Sequence, residues 1–391
     1  MNDEREFSGR HVPLSEDLRA LRHLMDEVLR EQSGAEFFQL VEQDGLTARR
    51  WREGEGGALD ALAARVRGRP SPLARELLRA FADWFQLSNV AEKVQRIRRR
   101  REYLQREGDR PQPGSIEDAL SELKAAGLKL EEVLALIGQL SIEPVMLAHP
   151  MESTRRTMLL RQQRIAALLL ERDNSTLAPY EQRMLRERLR SEISADWQTE
   201  EHPRERLTVA DEREHAVFYL AEILYRIVPA FYQELAAALG KYYGAAVETL
   251  ELPLIVRFGT WVGGDMESSD DVHAKSIRET LARAQQVIIG NYRAECFTLS
   301  QFLSQSASRV AISPEVRRRI EEYRTLLPGA QALTPSRHDP MPYRVLMRQI
   351  AERLSATLET RSNGYQSIAQ FRADVALVCR SLLESRGVHA G

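Results

Sequence analysis

The strongest constraint in this chain is the placement of two short apolar runs in a sequence that otherwise reads as amphipathic helix. Glu143–Ala148 (EPVMLA) is bounded by Pro144 and the His149–Pro150 pair, and Glu251–Gly259 (ELPLIVRFG) by Pro253 and glycines. Both are too short for a helix, and the second is rich in β-branched and aromatic residues, so each predicts a short buried strand. Each is followed by a polar turn and a long helical pattern. Two strand–turn–helix units predict parallel pairing in a barrel-like arrangement. In such folds the chemistry gathers at the carboxyl ends of the strands, which here means His149 and Gly263–Asp271.

The rest of the chain has helical periodicity. Residues 72–90 set Leu73, Leu77, Leu78, Phe81, Trp84 and Phe85 in one apolar stripe. Further helices are predicted over 116–140, over 155–197 with a break near 173–179, and over 272–305, 314–327, 342–360 and 365–386. Residues 210–243 form the most apolar pattern, with Pro229 inside it as a kink. Tyr242, Tyr243 and the run 217–232 are expected in the core. Turn-rich stretches lie at 54–57, 106–115 and 328–342. The fold class is therefore mostly α with a few short parallel strands in a barrel-like arrangement. Residues 1–141 read as a helical region. Residues 142–391 read as a barrel-like region, with strand–turn–helix units at 143–170 and 251–290 and long helices between them.

Composition narrows the function classes. Lys plus Arg number 55 against 57 Asp plus Glu, a net charge of −2, so nothing draws the chain to nucleic acid or an anionic membrane. Cys296 and Cys379 have neither disulfide nor zinc spacing, and the eight histidines include no HExxH pair. His202 and His215 are expected to cap or line helices. The start has no apolar leader, and no apolar run approaches a bilayer span, which predicts a cytoplasmic protein without a membrane partner. Arginine dominates the basic residues so heavily that single arginines carry little weight. Arg96–Arg101 (RIRRRR) reads as a solvated or ion-paired helix face, with nucleic-acid contact as the alternative.

Two constellations remain. In the first, Pro150 holds His149 extended at the strand end and suits a first helical turn. The imidazole then lies over a helix N-terminus, an anion site, where Glu152 suits the helix dipole. Arg155 and Arg156 oppose that dipole unless an anion or carboxylate partners them; an ordinary His-Pro turn remains open. In the second, Arg257, Phe258 and Trp261 precede Gly263-Gly264-Asp265, a glycine pair that lets backbone approach a ligand. Ser268–Asp271 reads as an N-cap for a helix starting near Val272.

These two blocks resemble phosphoenolpyruvate carboxylase. The residues that carry the resemblance are His149-Pro150 with Glu152, Arg155-Arg156-Thr157, then Arg257-Phe258, Trp261 and Gly263-Gly264-Asp265. Flanking segments agree in order: Ala80–Glu92, Arg96–Tyr103, Ser194–Gln198, Asp211–Pro229 and Pro342–Leu354. The resemblance covers nearly the whole chain, collinear with the family's N-terminal half in its proteobacterial form, and implies the N-terminal part of a helix-rich (β/α)8 barrel-type fold, with residues 142–391 a partial barrel region carrying long inserted helices. It implies carboxylation of phosphoenolpyruvate by bicarbonate to oxaloacetate and phosphate, an anaplerotic carbon fixation, with Mg2+ or Mn2+. It implies that His149 is catalytic, taking a proton from carboxyphosphate as CO2 leaves for the enolate. It further implies that Glu152, Arg155, Arg156, Arg257, Trp261, Gly263, Gly264 and Asp265 bind substrate or support the site.

The sequence also departs from the family. The motif Thr-Ala-His-Pro-Thr-Glu has lost both threonines, to Leu147 and Met151, and Gly-Gly-Asp-Arg-Asp-Gly-Asn-Pro continues here as Met266-Glu267-Ser268-Ser269-Asp270. The family's metal-binding carboxylates and the Gly-rich loop of its C-terminal half have no counterpart, so the metal's ligands are expected outside this chain. The expectation is an enzyme that needs a complementary C-terminal piece, either a second polypeptide or a further part of the same protein. Alternatives are an inactive paralogue that acts as a binding or regulatory partner, and a helical scaffold. A homo-oligomer is a possible assembly.

Overall fold

A computed structural model describes residues 12–106, 111–147, 155–200, 208–244, 246, 250–262, 272–327 and 340–385. They divide between two compact units. Unit 1 takes residues 1–115 and 150–206; unit 2 takes residues 116–149 and 207–391.

Unit 1 is helical. Its helices are α1 (Val12–Ser33), α2 (Ala35–Arg52), α3 (Ala58–Arg67), α4 (Ser71–Arg106), α7 (Arg156–Arg172) and α8 (Pro179–Trp197). Leu21, Leu24, Met25 and Val28 recur at three- and four-residue spacing on α1 and meet Leu87, Val90, Ala91 and Val94 of α4 in one core. Ile165, Leu168 and Leu169 of α7 and Leu185, Leu189 and Ile193 of α8 complete it. The stripe over 72–90 is thus one part of a longer helix. Arg98, from the basic run, is buried and ion-paired rather than solvated: it meets Asp17, which is fully buried, and donates to Asp173 at 2.8 Å.

Unit 2 contains α5 (Ile116–Ala125) and α6 (Leu130–Gln139), two helices where the sequence pattern ran on from 116 to 140. Gly127, at φ 86°, turns the chain between them, a left-handed value that suits glycine. Next come α9 (Val209–Phe218), a π-helical turn (Tyr219–Leu224) and α10 (Tyr225–Tyr243). Pro229 has no N–H for the Tyr225 carbonyl four residues back, and the widened turn lies just upstream, where Tyr225 N–H bonds the Leu220 carbonyl. The run 217–232 is only partly core: Val217 and Phe218 are buried, while Ile227 is exposed. Tyr242 and Tyr243 pack at the edge of the core formed by Val133, Ile137, Leu235 and Leu239.

The second core of unit 2 gathers α11 (Ala274–Phe302), α12 (Pro314–Leu326), α13 (Pro342–Leu358) and α14 (Ile368–Glu384). Tyr343, Leu346, Ile350, Ala351 and Leu354 of α13 are buried at its centre. Above them Asp374, fully buried, accepts from the hydroxyls of Tyr365 (2.7 Å) and Tyr323 and pairs with Arg319. Arg353 joins through Tyr323 Oη at 2.6 Å and lies over the Tyr365 ring. The bend before α14 is tight. A Cβ on Gly364 would stand 2.8 Å from the backbone N and Cα of Thr357.

The two strands are much shorter than the apolar runs that predicted them. β1 is Val145–Met146 and β2 is Gly259–Thr260, paired in parallel with Val145 opposite Gly259 and Met146 opposite Thr260. One further parallel bridge joins Ile142 to Val256. The prolines explain the shortness on the first run, because Pro144 has no amide for a ladder.

Candidate functional site

The parallel pair places the carboxyl ends of two runs beside each other. Arg257 N–H donates to the Ile142 carbonyl at 2.9 Å, Gly259 to Pro144 at 3.0 Å, and Trp261 to Met146 at 2.9 Å. Glycine at 259 suits a close crossing: a Cβ there would lie 3.3 Å from Val145 Cγ2 and 3.3 Å from Glu143 Oε1. Beyond the last of these bonds Leu147 stands two residues before His149, and Trp261 two before Gly263. Thr260 Oγ1 accepts the Val262 N–H at 3.0 Å, and Val262 is buried, so a side chain shapes the backbone at the exit of β2.

Alternation along the strands sets the faces. Val145, Leu147 and Trp261 fall on the face that Gly259 shares, and Met146 and Thr260 on the other. Leu147 is 66% exposed and Trp261 55% exposed. Phe258 enters β2 and also lines a cavity of about 500 Å3 with Leu220, Ala221, Tyr225, Pro229, Ile288 and Tyr292. Burial there pushes the Tyr225 phenol up to about 12, so it stays protonated as a donor.

The predicted site residues divide as follows. Arg257 and Trp261 stand on β2 and its approach, with exposed side chains. Arg155 and Arg156 belong to unit 1. Arg155 has an extended ψ of 136° as the N-cap of α7, and Arg156 is the first residue in the helix. Within the described residues α7 thus begins at Arg156, with Arg155 as its cap. His149, Pro150, Met151, Glu152, Gly263, Gly264, Asp265 and Ser268–Asp271 lie outside the described residues, as does His202. The described cap of α11 is His273, whose backbone N–H donates to Ser276 Oγ at 3.2 Å. His215 packs edge-on against Tyr219, and burial lowers its pKa.

Two contributors escaped the sequence reading. Thr260 carries the short-range signal of a hydroxyl two residues before the amide it accepts. Tyr232, which accepts the Ile255 N–H at 2.8 Å, carries none, because that contact joins a helix to a strand. No group of three or more His, Cys, Asp or Glu among the described residues could hold a metal ion. None of the described helices is long and apolar enough to cross a membrane.

The comparisons with known proteins agree with one another. The family model described as phosphoenolpyruvate carboxylase matches residues 14–387. The phosphoenolpyruvate carboxylase of Xanthomonas oryzae pv. oryzae is 39% identical over 394 residues, which cover 100% of this chain and 43% of the relative. That of Nocardia farcinica is 34% identical over 89% of this chain and 36% of its own length. That of Nitrosomonas europaea is 32% identical over 96% of this chain and 40% of its own length. The chain thus spans less than half the length of these curated relatives.

Proposed function

Since the chain belongs to the phosphoenolpyruvate carboxylase family, we propose that it supplies one side of a site that joins phosphoenolpyruvate and bicarbonate into oxaloacetate and phosphate. The observation that carries this is the parallel pairing of Val145–Met146 with Gly259–Thr260, since the carboxyl ends of those strands lead into the two family motifs. In this reading bicarbonate attacks phosphorus to give carboxyphosphate and the enolate. His149, neutral near pH 7, accepts the proton of the carboxyphosphate carboxyl as CO2 separates, and the enolate captures the CO2. Arg155, Arg156 and Arg257 supply positive charge for phosphate and carboxylate groups. Gly263 and Gly264 allow backbone to close on the substrate, Asp265 orders an arginine or a water, Glu152 supports the site, and Trp261 walls it. The Mg2+ or Mn2+ that the family implies finds no seat among the described residues, so no step is assigned to it.

The strands are then the start of a (β/α)8 barrel. A two-stranded sheet with Leu147 and Trp261 exposed is not a self-sufficient element, and parallel sheets are ordinarily covered on both faces. The remaining strands come from the part of the family that this chain does not span, in the same polypeptide or a second one. The cell compartment of such a reaction is the cytoplasm.

Leu147 and Met151, in place of the family's threonines, and Met266, in place of its arginine, favour a second reading: a paralogue that assembles without turnover. Oxaloacetate formation separates the two. The chain is combined with the C-terminal half of a relative, and the assay is run with and without His149→Ala. The catalytic reading expects turnover only in the combination and its loss in the variant. Turnover that survives His149→Ala overturns the role of His149. Stable assembly without turnover establishes the second reading.

A further inference from the structure

Arg257, Gly259 and Trp261 are successive members of one row of alternate amides that β2 turns toward β1. The next amide upstream in that row is Ile255. A ladder continued in the same register would pair it with the carbonyl of Leu140, two residues before Ile142. Leu140 is instead the cap of α6, and the ladder stops. The Tyr232 hydroxyl on α10 takes the vacant place, accepting Ile255 N–H at 2.8 Å with Val256 N at 3.4 Å. Ile255 is buried, so its amide needs this partner.

We propose that Tyr232 is a register clamp, a positioning residue that fixes the register of β2 against β1 and therefore where β2 ends. The ladder itself is short: two paired positions and one bridge. Such a ladder resists slippage weakly. A slip of one residue exchanges the two faces and carries Trp261 to the opposite side. A slip of two keeps the faces but moves the end of β2 along the strand axis by about 6.6 Å. The clamp opposes both. Advancing β2 by two residues brings Pro253 to the hydroxyl, and proline has no N–H to donate. Withdrawing it by two brings Arg257, whose amide must then leave Ile142. Gly259 acts in the same sense, because any other residue opposite Val145 adds a Cβ to a gap of 3.3 Å. A slipped strand would still be a strand in a folded protein, with its carboxyl end displaced from the partner run that leads to His149. The importance of that displacement rests on the catalytic reading above; the clamp itself does not.

The test is Tyr232→Phe in the full chain, which removes one oxygen and keeps the ring. Tyr242→Phe is the control, since it makes the same change on the same helix, where the hydroxyl meets Glu117 at 3.3 Å. Hydrogen–deuterium exchange is followed on the peptides covering 140–147 and 250–262. Tyr232→Phe is expected to speed exchange at Ile255 and through β2 by about tenfold, the scale of one buried amide left without a partner. The helices of unit 2 should be unchanged, and Tyr242→Phe should leave the strand as it was. Combined with a C-terminal half, Tyr232→Phe is expected to lower kcat/KM for phosphoenolpyruvate by about tenfold or more, and Tyr242→Phe to leave it unaltered. Unchanged exchange at Ile255 overturns the clamp, whatever the activity. Faster exchange with wild-type kcat/KM overturns its role in placing the end of β2. If the wild-type combination does not turn over, the catalytic reading fails, and the exchange result alone still decides the clamp.

Discussion

Two regions of unit 2 handle the same difficulty, a polar group among apolar neighbours, in opposite ways. Around Asp374 the carboxylate is fully buried and surrounded by donors from two helices, α12 and α13, and the bend before α14. At β1 and β2 the backbone is paired along one edge of each strand, and Leu147 and Trp261 remain open to solvent. The first region is finished by its own residues. The second has apolar surface that it does not itself cover. A helix closes its own hydrogen bonds and needs neighbours only for its apolar stripe. A strand needs neighbours for its backbone as well, so a sheet of two strands is exposed at its strands while the helices around it stay whole.

The contrast is tested most severely at Asp374. Asp374→Ala strands Arg319 and the Tyr323 and Tyr365 hydroxyls, and breaking such a buried pair is expected to cost about 3–5 kcal/mol in urea unfolding. A loss under about 1 kcal/mol would show the network to be ornament and the comparison to be false. Gly364→Ala comes next. Its new Cβ meets Thr357 backbone, and overpacking of this kind costs about 1–3 kcal/mol by the same measurement. Trp261→Ala should do the reverse of both. In the isolated chain it is expected to shift stability by no more than about 0.5 kcal/mol, as for an exposed position. It should nevertheless weaken association with a C-terminal half by about tenfold or more in a titration. A large loss of stability would mean that the sheet face is already covered.

The smallest expected effect concerns an exposed ion pair. Arg283 holds the Glu214 carboxyl below its ordinary range, through Nε and Nη2 hydrogen bonds of 2.9 Å. The folded pKa is lowered, so the stabilisation is present above the unfolded carboxylate value and is lost as pH falls through the folded one. Solvent screens the pair, so its worth is at most about 1 kcal/mol. Arg283→Met should remove that pH-dependent part of the urea midpoint while leaving the Asp374 region unchanged.

How much of this was legible in the sequence depends on the range of the interaction. The stripe of Leu77, Phe81 and Trp84, the Pro229 disturbance and the break before Pro179 are local, and the sequence patterns located all three. Gly127 divides α5 from α6 by a backbone value that periodicity does not register. The basic run was read correctly as a helix face that could be ion-paired, yet the burial of Arg98 depends on Asp17 and Asp173, both far away in the chain. The two strands were placed, but their length was overestimated, because pairing requires a partner of matching length and an apolar run does not report one. The site motifs were visible as residues. What holds their strand in place, Tyr232 and Gly259, depends on contacts that no spacing rule encodes.

The pairing of Val145 with Gly259 also dictates an order of events during folding. The partners are separated by more than a hundred residues, and the second stretch of unit 1 lies between them. Closing a loop of that size costs about 4 kcal/mol in chain entropy, far more than two ladder positions return. The strands therefore meet late, after the helical cores have shortened the effective loop. Until then the apolar runs 142–147 and 254–262 are unpaired, which makes this short sheet the point where a chaperone or an aggregating neighbour would first take hold.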